Sequence, residues 1–209
     1  MLKIAVLVSG GGTNLQALID AQNNGKLPGG VLSLVISSKK DAYALERAKK
    51  AGIPTKVLLR RDYATQQDYD EALLALLDQN QIGLIILAGF MTIISETVIR
   101  RYENQIINIH PSLIPSFCGP GYYGLKVHEA ALRRGVKVTG ATVHFVNEVC
   151  DGGPIILQKA VEILPGDTPE TLQRRVMEQA EWQLLPKAAA LFCQGRILVQ
   201  DGQTIIKEE

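Results

Sequence analysis

The sequence predicts an α/β protein built on a doubly wound, mostly parallel sheet with helices on both faces. Short runs rich in Val, Ile and Leu recur from the first residues onward, and each is followed by a segment whose apolar residues repeat at helical spacing. Runs that are apolar throughout, rather than alternating, are typical of parallel strands covered on both faces. Strand–helix alternation then implies right-handed crossovers between parallel strands.

The first half of the chain supplies five strands and four helices. Residues 14–25 form the first predicted helix, because Leu15, Leu18 and Ile19 repeat at helical spacing. The predicted strands are residues 2–8, 31–37, 54–59, 83–88 and 104–109, and the other predicted helices are 42–51, 67–80 and 95–102.

After Pro115 the pattern changes. It predicts a helix at 124–134, long strands at 136–146 and 154–163, a helix at 169–185 and a closing hairpin around Asp201-Gly202. Because the sequence contains no internal repeat, linker or low-complexity tract, we expect a single domain over residues 1–209.

Composition and charge exclude several classes of function. The 209 residues carry 22 basic and 21 acidic side chains, a formal net charge of +1, so no basic excess attracts nucleic acid or an anionic membrane. No apolar run approaches the length of about 18 residues that a membrane span requires. Three separated cysteines fit neither a disulfide framework nor a zinc site, and they predict a reducing, cytoplasmic location.

A glycine-rich loop, residues 9–12, joins the first strand to the first helix. Its glycines allow close backbone approach, and Thr13 and Asn14 offer side-chain hydrogen bonds at the helix start. Free N–H groups there favour a phosphate, although a plain tight turn is the alternative. A dinucleotide site is disfavoured, because Leu15 stands at the third glycine position and no acidic residue closes the second strand. A single phosphate monoester fits best.

The strongest chemical signal lies at the end of the fifth predicted strand. Asn108 and His110 are two residues apart, so a strand would place both side chains on one face, about 7 Å apart. Ligands of open α/β sheets bind at this carboxyl edge. An amide donor beside a titratable imidazole can hold a carbonyl and move a proton.

A second candidate acid, Asp151, precedes Gly152-Gly153-Pro154. Glycines and proline predict a fixed turn, and an ordinary surface aspartate is as reasonable an interpretation as a catalytic one. His144 in the preceding strand, and His128 in the helix at 124–134, are more typical of core or supporting histidines than of catalytic bases. The three histidines show no metal-motif spacing, so we predict no metal site.

Together these segments resemble the folate-dependent phosphoribosylglycinamide formyltransferases. The matching residues are 9–16, 87–91, 108–113, 144–146 and 151–158. The resemblance implies a formyltransferase-type Rossmann-like fold, with the phosphate-binding part at about 1–100 and the folate and catalytic part at about 85–190. It also implies 10-formyltetrahydrofolate as donor and glycinamide ribonucleotide as acceptor, both small molecules, and a monomer or homodimer.

The resemblance also implies roles for individual residues. Asn108, His110 and Asp151 would be catalytic, and Asn108 would also contact the folate. The remaining implied residues are Gly12, Thr13 and Asn14 for the acceptor's phosphate, Glu181 as the acceptor-binding carboxylate, and Met91, Thr92, Ile93 and Ile94 for the folate.

Three positions depart from the family pattern. Thr92 and Gln66 stand where many relatives have basic residues, and the spacing before Glu181 is shifted by one residue. Formyltetrahydrofolate hydrolysis is an alternative activity, and a nucleotide-binding module without chemistry is an alternative of a different class.

Overall fold

The computed structural model describes residues 1–208 and contains a central seven-stranded sheet. Its strands follow the order β3-β2-β1-β4-β5-β6-β7. The first five in that order are parallel, whereas β6 is antiparallel to β5, and β7 to β6. The strands are β1 Leu2–Val8, β2 Gly30–Ser37, β3 Thr55–Val57, β4 Ile82–Leu87, β5 Ile106–His110, β6 Val138–Phe145 and β7 Ile155–Glu162. The predicted mostly parallel α/β sheet is confirmed.

Helices cover the sheet on both sides. They are α1 Thr13–Asn23, α2 Tyr43–Lys50, α3 Gln66–Gln79, α4 Glu96–Arg101, α5 Leu125–Arg134, α6 Pro169–Val176 and α7 Trp182–Cys193, and a π-helical turn, Met177–Glu181, joins the last two. The predicted closing hairpin is present as β8 Ile197–Gln200 and β9 Gln203–Ile206.

Two core clusters lie on opposite faces of the sheet. In β1 the alternating residues Ile4 and Val6 pack into one cluster, with α1, α2, α6 and α7. Ala5 and Leu7 pack into the other, with α3 and α4. Because both faces of the sheet are covered, the strand sequences are apolar throughout rather than alternating. Within residues 1–208, no helix combines the length and apolar character needed to cross a bilayer.

Two predicted elements were wrong in extent. The strand expected at 54–59 ends at Val57, because Leu58 and Leu59 bury their side chains without continuing the ladder, and a 3-10 turn, Arg60–Asp62, follows. The helix expected at 169–185 continues to Cys193, since its apolar stripe runs on past Pro186. The same helix is interrupted by the π-helical turn, which apolar periodicity alone does not predict.

Candidate active site

Strand β5 presents two polar side chains at its carboxyl end. Asn108 and His110 are two residues apart and therefore share one face of the sheet. Antiparallel β6 places His144 opposite Asn108 and Thr142 opposite His110. His110 and His144 are both buried. The structure thus brings the predicted amide and imidazole together and adds a second imidazole beside them.

The imidazole of His110 lies between a carbonyl and a carboxylate. Its Nε2 is 2.8 Å from the carbonyl oxygen of Phe117. Because a carbonyl oxygen only accepts, Nε2 carries the hydrogen of this contact. On the other side of the ring, Nδ1 is 3.5 Å from Oδ2 of Asp151. A proton taken up at Nδ1 would therefore be held next to a negative charge.

Asp151 reaches this imidazole from the loop between β6 and β7. Its backbone adopts a left-handed conformation with a φ of 55°. A Cβ at Gly153 would lie 1.9 Å from the carbonyl oxygen of Phe145, so only glycine fits there. The side chain of Asp151 is only 10% exposed, and its Oδ2 accepts a hydrogen bond of 2.8 Å from the backbone N–H of Gly119. This geometry favours the catalytic interpretation over a solvated surface turn.

Asn108 and His144 complete the cluster around Asp151. Nδ1 of His144 lies 2.7 Å from the carbonyl oxygen of Phe145, which assigns the hydrogen to Nδ1. Nε2 of the same ring lies 3.1 Å from the amide nitrogen of Asn108 and 3.6 Å from Oδ1 of Asp151. The amide nitrogen of Asn108 also lies 3.5 Å from Oδ1 of Asp151. The amide of Asn108 thus lies between the His144 ring and the Asp151 carboxylate, and these two contacts fix its orientation.

The site holds a neutral imidazole beside an ionised carboxylate. Burial lowers the pKa of His110 below its ordinary value, against the opposing effects of Asp151 and the Phe117 carbonyl. Burial alone would raise the pKa of Asp151, but its contacts with His144, the Gly119 N–H and His110 outweigh burial and hold that pKa below its ordinary value. At neutral pH the pair can therefore accept a proton.

His128, in α5, lies close enough to His110 for the two imidazoles to interact electrostatically. It is fully buried, and neither of its ring nitrogens has a hydrogen-bond partner among the described residues. Burial lowers the pKa of His128 to about 4, so the ring is neutral at physiological pH. This environment fits a core histidine, as the sequence suggested.

The glycine loop leaves the start of α1 open. Gly12 adopts a left-handed conformation with a φ of 72°, and a Cβ there would lie 2.6 Å from the Cβ of Ala44. Helix α2 holds the loop through two bonds, from the Ala44 N–H to the Gly10 carbonyl at 3.1 Å and from Arg47 Nε to the Gly11 carbonyl at 2.9 Å. Among the residues that the structure describes, no side chain caps α1. Its first N–H groups therefore remain available to an anion.

Thr13 and Asn14 direct their side chains to the π-helical turn instead of capping α1. The hydroxyl of Thr13 donates to Sδ of Met177 at 3.5 Å. The amide of Asn14 donates to Oε2 of Glu181 at 2.6 Å. The first two residues of α1 thus contact both ends of the turn, and Glu181 lies beside the glycine loop although 167 positions separate it from Asn14.

Glu181 is an isolated buried carboxyl group. It is 6% exposed, and burial raises its pKa to about 7, while the hydrogen bond from Asn14 acts in the opposite direction. The other polar side-chain atom of Asn14, Oδ1, is buried without a hydrogen-bond partner in the described part of the chain. Two hydrogen-bond acceptors, the Glu181 carboxylate and the Asn14 oxygen, therefore lie together here.

Residues 91–94 form an irregular loop after β4. Met91 is 51% exposed and Ile93 is 86% exposed. The backbone N–H of Met91 donates to Oγ of Ser9 at 2.8 Å, which ties this loop to the start of the glycine loop. Exposed apolar side chains at the sheet edge that carries Asn108 fit an aromatic ligand better than a purely ionic one.

Sequence reasoning missed three groups of this site. His144 was assigned to the core or to a supporting role, and nothing local reveals that its ring pairs with Asn108. The carbonyl of Phe117 and the N–H of Gly119 belong to a loop, residues 116–124, for which the sequence predicts no catalytic role. These two groups contact the His110–Asp151 pair through the backbone, so residue identity could not indicate them.

The chain belongs to the formyl transferase family, whose model matches residues 2–189. It is 44% identical to the phosphoribosylglycinamide formyltransferase of Haemophilus influenzae, an alignment that covers 97% of this chain and 92% of that protein.

Solved structures agree with this assignment. The glycinamide ribonucleotide transformylase 1 of Symbiobacterium toebii superposes with a TM-score of 0.93 at 42% identity, covering 100% of this chain and 95% of that chain. A formyltetrahydrofolate deformylase from Pseudomonas syringae is more distant. It has a TM-score of 0.88 at 27% identity, and the match covers 99% of this chain but 66% of that chain.

Proposed function

We propose that this protein transfers the formyl group of 10-formyltetrahydrofolate to the amine of glycinamide ribonucleotide, in purine biosynthesis. The products are formylglycinamide ribonucleotide and tetrahydrofolate. The observation that carries the proposal is the cluster of Asn108, His110 and Asp151 on the same sheet edge as the open start of α1. One strand, β4, separates β1 from β5, so the phosphate loop and the cluster are about 10 Å apart across the sheet. That distance suits an acceptor with a phosphate at one end and an amine at the other.

Asn108 stabilises the charge that develops during transfer. The acceptor amine attacks the formyl carbon, a new C–N bond forms, and the carbonyl oxygen becomes an oxyanion. One hydrogen of the Asn108 amide exchanges its long 3.5 Å contact with Oδ1 of Asp151 for that oxygen, a contribution of about 3–4 kcal/mol by analogy with other oxyanion donors. No covalent enzyme intermediate is needed, because the substrate supplies its own nucleophile.

His110 and Asp151 handle the proton. The attacking nitrogen must lose a proton, and the folate nitrogen must gain one as its bond to the formyl carbon breaks. His110 Nδ1, beside the Asp151 carboxylate, accepts the first proton and returns it to the leaving nitrogen, directly or through water. Asp151 stabilises the imidazolium that exists between these two events.

The remaining residues bind the two substrates. Backbone N–H groups of Gly12, Thr13 and Asn14 hold the acceptor's phosphate, and Glu181 binds a donor group of the acceptor. The folate packs on residues 91–94 and meets Asn108. The same role is compatible with a single formyltransferase domain over residues 1–209, a cytoplasmic location, and a monomer or homodimer.

A two-substrate assay tests the activity. Purified protein is mixed with 10-formyltetrahydrofolate, with or without glycinamide ribonucleotide, and release of tetrahydrofolate is followed by absorbance. We expect release only when both substrates are present. Release without the acceptor would indicate hydrolysis, the activity named for the more distant Pseudomonas syringae protein, and no release in either case would refute the proposal.

The variant Asp151→Asn tests the proton step. It keeps the size of the side chain but removes the charge beside His110, so kcat should fall by about 100-fold or more while the acceptor KM changes little. Glu148→Gln, an exposed substitution in the same loop, is the matched control and should behave as the unmodified protein. Near-normal turnover of Asp151→Asn would refute the role of Asp151.

A further inference from the structure

The contacts between α1 and the π-helical turn point to a role for the Asn14 side chain that differs from phosphate binding. Asn14 stands in the loop expected to hold a phosphate, yet its amide is committed to Oε2 of Glu181 at 2.6 Å. One of the two amide hydrogens is thereby held by a carboxylate, and a phosphate on the other hydrogen of the same nitrogen would lie beside a like charge. The backbone N–H of Asn14 remains available for phosphate.

The π-helical turn delivers Glu181 to this contact. Glu181 follows the buried residue Val176 by five positions. In a regular α-helix a residue five positions later points about 140° away from the first, whereas a residue four positions later lies almost above it. The wider turn, Met177–Glu181, absorbs the additional residue, so Glu181 faces the glycine loop rather than solvent.

The oxygen atoms of Asn14 and Glu181 have fewer hydrogen-bond donors around them than they can accept from. Glu181 is 6% exposed, and Asn14 is its one hydrogen-bond partner among the described residues. Oδ1 of Asn14 is buried and has no hydrogen-bond partner within residues 1–208. Buried acceptors without donors are costly, and a ligand that brings N–H or O–H groups would satisfy both at once.

We propose that Asn14 is a positioning residue, which orients the Glu181 carboxylate and adds its own oxygen, so that the two side chains together receive an N–H or O–H donor of the phosphorylated acceptor. This inference rests on the proposed function, since it names the acceptor of that reaction as the ligand. The glycine loop then recognises two parts of one substrate. Its backbone holds the phosphate, and through Asn14 it fixes the group that binds the second part.

Asn14→Ala separates the two possible roles of this side chain. If Asn14 positions Glu181, the acceptor KM should rise about 10- to 100-fold, the effect of losing a hydrogen bond to a charged group. Inhibition by inorganic phosphate, which reports the backbone site alone, should be unchanged. Inhibition by ribose 5-phosphate shows which group of the acceptor is the donor. If it inhibits Asn14→Ala less than the unmodified protein, the donor is a ribose hydroxyl; if it inhibits both equally, the donor is the amine. Asn23→Ala, an exposed change in the same helix, is the control.

A reciprocal exchange tests the pair itself. Asn14→Asp alone places two carboxyl groups together and should weaken acceptor binding. Asn14→Asp combined with Glu181→Gln restores one amide and one carboxylate, so the acceptor KM should recover most of the loss. The inference is overturned if Asn14→Ala weakens phosphate binding as much as acceptor binding, or if it leaves the acceptor KM unchanged. It is also overturned if the double variant has an acceptor KM as high as that of Asn14→Asp alone. Absence of formyl transfer in the unmodified protein would instead refute the proposed function.

Discussion

Replacing Glu181 with glutamine should make the protein more stable at high pH. Burial raises the pKa of Glu181 from its ordinary 4.5 to about 7, so the folded protein binds this proton more tightly than the unfolded chain does. Stability from this group is therefore complete below the unfolded pKa and is lost as pH rises from about 4.5 to about 7. The loss amounts to about 3 kcal/mol. Glutamine stays neutral, and its carbonyl still accepts the hydrogen bond from Asn14.

Urea unfolding at a series of pH values measures this effect. The quantity of interest is the free energy of unfolding of Glu181→Gln minus that of the unmodified protein. This difference should grow as pH rises from about 4.5 to about 7 and should then level off. Glu148→Gln, an exposed change that removes a carboxylate elsewhere on the surface, is the control. A difference for Glu181→Gln that does not change with pH would refute the assignment of a desolvated carboxyl to this position.

Three further predictions concern backbone geometry. Gly12→Val places a side chain on a left-handed residue, where the Cβ would lie 2.6 Å from Ala44. In steady-state assays the acceptor KM should therefore rise by a larger factor than kcat falls. An unchanged KM would contradict the assignment of this loop to phosphate binding. Gly153→Ala pushes a methyl group against the Phe145 carbonyl and should cost about 3 kcal/mol or more in urea unfolding. A loss below 1 kcal/mol would contradict this packing. Deletion of Gln179 should convert the π-helical turn into α-helix and leave the acceptor KM unchanged, because the glutamate then follows the preceding helix by one regular turn. An acceptor KM raised as much as by Asn14→Ala would contradict this prediction.

Local patterns predicted most of the fold. Continuous apolar runs located the strands, because two-sided burial leaves no room for polar alternation, and the helices between them followed from apolar spacing. The errors arose where tertiary packing overrode the local pattern. Leu58 and Leu59 are as apolar as strand residues but fill the core from a turn, and Pro186 did not end its helix.

The residues of the site could be predicted from the sequence, but most of the contacts between them could not. Asn108 and His110 share a strand, so their proximity follows from alternation alone. The approach of Asp151 depends on a left-handed backbone and on a glycine that no side chain could replace. The pairing of His144 with Asn108 depends on the register between β5 and β6, a non-local property that no short sequence window contains. The extra residue before Glu181 could be recognised in the sequence, but the π-helical turn that accommodates it could not be predicted.

Two peptide groups link the loop at 116–124 to His110 and Asp151, namely the carbonyl of Phe117 and the N–H of Gly119. No side chain of this stretch takes part in these two contacts, so residue identity matters here through the course of the main chain, as at Gly119 and Gly121, whose φ values of 87° and 92° favour glycine. For protein engineering, the loop is a place where outward-facing positions can be redesigned for solubility or immobilisation, provided that the course of the main chain is kept.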